Sequence, residues 1–141
     1  MSHTRIRPFN TADTYPEQRL DNDLAQAVVT RGGRVVWLRG QCPQGLDDPR
    51  SIDSHDAGEQ THRVMQNIRQ LIGEAGGAMA DLVKLTVYLT DVRHREAVYR
   101  TMGEYIRGVH PVCTGLVVVA LARPEWLVEI DAIAVIPEDG A

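Results

Sequence analysis

Two carboxylates, Glu129 and Asp131, interrupt the otherwise apolar run LVEIDAIAV. In a strand, residues two apart lie on the same face. A carboxylate in a half-buried cleft can act as general base and hold a water for attack on a C=N or C=O carbon. Upstream, the dipeptide His110-Pro111 is followed by Cys113, Thr114 and Gly115, at the mouth of another apolar run. Cys113 is a nucleophile only where a neighbouring cation or helix N-terminus stabilises its thiolate. His110 and Arg39 are the candidates for that neighbour. Thr114 and nearby backbone N–H groups can polarise a carbonyl, as in an oxyanion hole. Arg39, in Arg39-Gly40-Gln41, can bind a carboxylate bidentately.

Each of these residues also has an ordinary explanation. Glu129 can be an outward carboxylate, Asp131 a structural one, Arg39 a surface arginine and Cys113 a small buried hydrophobe. His55, His62 and His94 fall at helix starts or on helix surfaces, and Arg93 and Arg95 beside His94 read as a solvated helix start. The sequence has no His-x-x-x-His pair and no Cys/His ligand set, so no metal site is expected. The glycines match neither dinucleotide- nor phosphate-binding spacing, so no cofactor is expected either.

The 141 residues carry a net charge of −4, and Lys84 is the only lysine. Nucleic-acid binding needs a basic stripe to neutralise phosphates, so that class is disfavoured. No apolar run reaches the roughly 20 residues of a membrane span, and the start MSHTRIRPFN has no signal-peptide core. Two cysteines, Cys42 and Cys113, make a poor disulfide framework and suit a reducing cytoplasm.

The elements that must position these groups follow from periodicity. Short strands are expected near Arg5–Phe9, Ala25–Thr30 and Arg34–Arg39, with Gly32-Gly33 closing a hairpin between the last two. Residues 40–53 form a loop. Val64, Met65, Ile68, Leu71 and Ile72 make a helical stripe, capped by Asp56 and stopped at Gly76-Gly77. Leu82–Thr90 alternates as a strand with one buried face. A second helix covers about 94–107, weakened at Gly103. Gly115–Ala122 is continuously apolar and is expected to be a central strand. In the last strand, Leu127–Val135, one face is Val128, Ile130, Ala132 and Ala134, and should lie under the helices. The order is β-β-β-α-β-α-β-β in a single domain, residues 1–141. It predicts an α+β fold, a mixed sheet with both helices on one face. The other sheet face carries Glu129, Asp131, Ile133 and residues of 35–38. It is too apolar for water, and a further copy of the chain is the natural cover.

The segments AQAVVTRGGRVVWLRGQCP, EQTHRVMQNIRQLIGEAGGAMADLVKLTVYLTD, the His-Pro and LVEIDAIAV together resemble the YjgF/RidA family, also called the Rid or endoribonuclease L-PSP family. The resemblance implies a chorismate-mutase-like fold, a homotrimer and small-molecule sites at the subunit interfaces. It implies hydrolysis of enamines and imines, released by pyridoxal-phosphate enzymes, to a 2-keto acid and ammonia. It places Glu129 where the family has a water-orienting glutamate. The family pattern puts a carboxylate-gripping arginine where Thr114 stands, a small residue where Arg39 stands and an aromatic residue near Leu24. The sequence thus reads as an arginine-lacking member. Its expected site comprises Glu129, Cys113 and Thr114 for chemistry, and Arg39, Gly40, Gly115 and Leu24 for binding. The expected function is deaminase-like hydrolysis of a small carboxylated metabolite. A metabolite-binding trimer without catalysis is the alternative, and an endoribonuclease the third reading.

Overall fold

A computed structural model describes residues 3–138. Its strands are β1 (Thr4–Asn10), β2 (Asp23–Val29), β3 (Arg34–Gln41), β4 (Leu82–Leu89), β5 (Val112–Val117) and β6 (Val128–Ile136). Its helices are the short α1 (Thr11–Thr14), α2 (Ala57–Glu74) and α3 (Arg95–Tyr105). The main sheet runs β3-β6-β4-β5, with β6 antiparallel to both its neighbours and β4 parallel to β5. β3–α2–β4 and β4–α3–β5 are therefore crossovers between parallel strands, and the α+β class is as expected.

The core forms where the two periodicities meet. Val128, Ile130, Ala132 and Ala134 of β6 are buried together with Leu85, Val87 and Leu89 of β4. From above come Val64, Met65, Ile68 and Ile72 of α2, and Val98 and Met102 of α3. Asp56 caps α2 by accepting a hydrogen bond from the Glu59 N–H at 2.9 Å. Gly76, at φ +93°, ends the helix in a conformation that side chains rarely adopt. No helix among the described residues is long and apolar enough to cross a membrane.

Two expectations are overturned. Gly32-Gly33 does not close a β2–β3 hairpin, because β2 pairs with β1 while β3 pairs with β6. The two glycines, at φ +57° and +82°, turn the chain from one sheet into the other. A Cβ on Gly33 would lie 2.6 Å from the Ile136 carbonyl oxygen. Nor is the run after Gly115 a central strand. β5 starts at Val112, stops at Val117 and lies at the sheet end, with Leu116, Val117 and Val119 exposed. Its apolarity belongs to an uncovered surface, a distinction that periodicity alone does not make.

Gly103 also has a different meaning in three dimensions. A Cβ there would strike the Asp21 carbonyl, which is held against α3 where Asn22 Nδ2 donates to Tyr99 O at 2.8 Å. Gly103→Ala should therefore destabilise the fold by about 1–3 kcal/mol, although alanine is the better helix former. Gly73, also helical, has nothing within 4 Å of its would-be Cβ. Gly73→Ala should raise stability by up to about 1 kcal/mol. Urea unfolding midpoints at constant slope check both signs.

Candidate functional site

The predicted site residues fall into two separate cavities. The larger, of about 800 Å³, opens at the end of β3 and is lined by Arg39, Gly40, Cys42, Glu129, Arg123 and Trp126 among others. β3 shifts register against β6 between Leu38 and Gln41, so the irregularity falls on Arg39-Gly40. Such an irregularity re-aims side chains at the end of a strand. A Cβ on Gly40 would collide with the Glu129 carboxylate, so glycine is needed for the acid to lie across the backbone. Cys42 donates its S–H to Glu129 Oε1 at 3.1 Å. Burial first, and the Glu129 carboxylate second, push the Cys42 thiol up to about 12.

Buried amides of α2 hold the loops around this cavity. Gln60 Nε2 donates to Ser54 O and Glu125 O, each at 2.9 Å, and its Oε1 accepts from Leu127 N at 2.9 Å. One side chain thus fixes the entry to β6, two residues before Glu129. Asn67 Nδ2 donates to Gln44 O at 2.7 Å and ties down the loop after Cys42. Trp126 Nε1 donates to Ser51 Oγ at 2.9 Å, and the Arg123 guanidinium lies 5.5 Å from the Trp126 ring centroid. Asp131 accepts from the Tyr88 hydroxyl at 2.8 Å, a structural partnership across β4 and β6.

The second cavity, of about 410 Å³, lies between β2, β5 and α3, and is lined by Leu24, Thr114, Cys113, Gly115, Arg95 and Tyr99 among others. β2 is docked there by Ala25 N donating to Pro111 O at 3.0 Å, and by His110 Nδ1 donating to Leu24 O at 2.9 Å. His110 takes φ +60° to do so. Its ring nitrogen is committed to a carbonyl, and the groups that act on Cys113 are others. The Cys113 thiol sits 3.7 Å from the Tyr99 hydroxyl. Burial pushes it up to about 11, against the opposing pull of Tyr99 and Arg95. Gly115 leaves room for the Tyr99 hydroxyl, which a Cβ would strike.

The structure therefore unites Arg39, Gly40 and Glu129, and separately unites Leu24, Cys113, Thr114 and Gly115. It does not bring Arg39 or Glu129 to Cys113 within one chain. Cys113 and Thr114 also diverge. Cys113 pairs with the buried Leu85, whereas Thr114 pairs with Thr86 on the opposite face. A raised thiol and a hydroxyl on opposite sides of a strand do not form one attacking pair. Cys42, Gln60, Asn67, Arg95 and Tyr99 escaped the sequence reading, because each acts through a contact distant along the chain. Cys42 alone had a local signal, its place directly after Arg39-Gly40-Gln41.

An open-faced α+β sheet with a glutamate across a strand-end glycine defines a class. The profile of the endoribonuclease L-PSP family matches residues 18–136, and the chain belongs to this YjgF/RidA family. Protein DfrA of Myxococcus xanthus is 34% identical over 113 residues, covering 79% of this chain and 83% of that protein. A RutC family protein of Pyrococcus abyssi is 35% identical over 104 residues, 72% of this chain and 79% of its own. Among solved structures, the Rid protein YyfB of Yersinia pestis superposes with a TM-score of 0.77 at 27% identity, covering 96% of this chain and 100% of that one.

The raised thiols give an expected reactivity. At pH 8 a thiol at about 11 or 12 is ionised to roughly one part in a thousand or less. Iodoacetamide should leave both cysteines of the native protein almost untouched at that pH. After denaturation without reductant both should react, since both are free thiols in the fold. Fast labelling of the native protein would contradict these environments.

Proposed function

We propose that the protein is a small-molecule hydrolase of the RidA type, acting as a homotrimer on a small carboxylated compound with a C=N or C=O carbon. The observation that carries the reading is the Glu129 carboxylate, laid over Gly40 and bonded to Cys42 in a cavity shared with Arg39. There Glu129 holds and deprotonates the attacking water. Arg39 stabilises the negative charge that develops as the water adds. Assembly is supported by the open face, where Trp37 is 75% exposed with Val35 exposed beside it on β3, and Leu116 is exposed at the opposite edge on β5. Covering that face with two further copies removes the apolar surface from water. It can also bring the Glu129 cavity of one copy to the Thr114 cavity of the next. Two free thiols fit a reducing, cytoplasmic setting.

Thr114, uncharged where the family pattern has an arginine, favours a second reading, a trimer that binds a metabolite without turning it over. An endoribonuclease is the third, and the net charge of −4 with a single lysine weighs against it.

The assay is semicarbazide competition, with an amino-acid oxidase generating imines from Ser or Leu. We expect slow hydrolysis by the wild type, because a carboxylate held from elsewhere than position 114 shifts the reacting carbon, and such misplacement costs about a hundredfold. Glu129→Gln should remove about 10²–10⁴ of the remaining rate. A rate unchanged in Glu129→Gln would refute the base assignment, and no hydrolysis of any imine would favour the binding protein.

Light scattering at micromolar concentration should give three times the 15.7 kDa chain mass. A single monomeric species would sink the assembly.

A further inference from the structure

We propose that Arg95 is the carboxylate anchor of this chain, binding a small planar carboxylate in the cavity between β2, β5 and α3. The proposal rests on the hydrolase reading for its substrate class but not for its geometry. Arg95 is the one charged residue among the described residues that line this cavity. Around it stand the hydroxyl-bearing Thr11, Tyr15 and Tyr99, and the amide of Gln26. Among the described residues no Asp or Glu lines the cavity, and none of their ion pairs includes Arg95. A guanidinium in a half-enclosed cavity without an acid is unneutralised, and a bound anion is what neutralises it.

The guanidinium is also held in place. Its carbon lies 4.3 Å from the Tyr99 ring centroid and 5.4 Å from that of Tyr15. Its Nε donates to Gln18 Oε1 at 3.2 Å. Stacking and one fixed hydrogen bond orient the planar fork before any ligand arrives, so little freedom is lost on binding. Arg93, two residues earlier, shows the contrast. It pairs with Asp91 at 2.6 Å and is exposed, as expected of a solvated helix start.

Arg39 is the rival anchor, and electrostatics separates the two. Arg39 and Arg123 share their cavity with Glu129, whose negative charge already offsets one of the two cations and repels a carboxylate placed beside it. No described residue brings such a charge to the cavity of Arg95. A substrate would place its carboxylate at Arg95 and its reacting carbon towards the Glu129 cavity of a neighbouring copy. At about 410 Å³ the cavity suits a ligand of few heavy atoms.

The test is ligand-detected NMR titration of the full chain with pyruvate and with its neutral isostere pyruvamide. Replacing Arg95 by Gln should weaken pyruvate about tenfold or more and leave pyruvamide within about twofold. Arg95→Lys, which keeps charge but not the fork, should fall between. Arg39→Gln should stay within about threefold of wild type for pyruvate. Glu129→Gln should still bind pyruvate, which keeps a failure of the catalytic reading distinguishable from a failure of this one. Three results would overturn the anchor: no pyruvate binding by the wild type, equal weakening of both ligands in Arg95→Gln, or loss in Arg39→Gln but not in Arg95→Gln.

Discussion

The alternation of β6 is the constraint on which both core and site depend. β6 is hydrogen-bonded on both edges, to β3 and to β4. Val128, Ile130, Ala132 and Ala134 face the helices, and each is essentially fully buried. The residues between them, Glu129 and Asp131 included, must therefore face the open side. A slip of one residue would place two carboxylates in the core, at a cost of several kcal/mol each or more, and would expose the apolar set. Burial of the apolar face thus fixes, without further specification, which side of the sheet carries Glu129. The Arg39-Gly40 irregularity in β3 then decides what Glu129 meets there.

Core and site are also coupled through polar groups. Gln60 and Asn67 point from α2 into surroundings that exclude water, and each is almost wholly buried. Burying an amide costs free energy unless it is hydrogen-bonded. Gln60 recovers that cost by bonding the chain at Ser54, Glu125 and Leu127, which are the loop backbones bordering the Glu129 cavity. An apolar residue at 60 would leave those backbone groups without partners. The helix therefore does more than cover the sheet. It sets the shape of the cavity from behind, and through Leu127 it fixes the position of the strand that carries the acid.

Much of the fold was legible because it repeats. The stripe of α2, the alternation of β4 and β6, the Asp56 cap and the Gly76 stop are local patterns, and all of them stand in the structure. The errors arose where a local pattern has two global meanings. A Gly-Gly turn shows that the chain turns but not which strand it pairs with, so the β2–β3 hairpin was wrong. An apolar run is the same whether a strand is central or at an uncovered end, so β5 was misplaced. At the site, Glu129 stood out as an acid in an apolar strand and Arg39 as a cation at a strand end, but the register shift that sets Gly40 against Glu129 comes from the pairing of β3 with β6, which the chain does not spell out locally. Cys113 and Thr114 were assigned a joint role that opposite faces of β5 do not allow. Arg95 was hidden in a charged run whose other arginine is indeed solvated. What distinguishes them is the company each keeps, Asp91 for Arg93 and the rings of Tyr99 and Tyr15 with Gln18 for Arg95.

The separation of the two cavities bears directly on assembly. In the order β3-β6-β4-β5, two strand spacings lie between Glu129 and Thr114. That is about 10 Å across the sheet at the usual spacing of strands. The pairings Glu129–Tyr88–Leu116 and Thr86–Thr114 add an offset of two residues along β5, about 7 Å more in that direction. In a 2-imino acid the carboxylate is bonded directly to the carbon that water attacks. No such molecule can touch Glu129 and the Thr114 cavity of the same copy at once. If both groups act on one substrate, they must come from different copies, and the site is complete only in the assembly. In the proposed assembly, the surface that covers the open sheet face and the surface that completes the site would then be the same. Hydrolysis would in that case fall with subunit dissociation even where each chain remains folded, because dilution separates the base from the anchor without unfolding either.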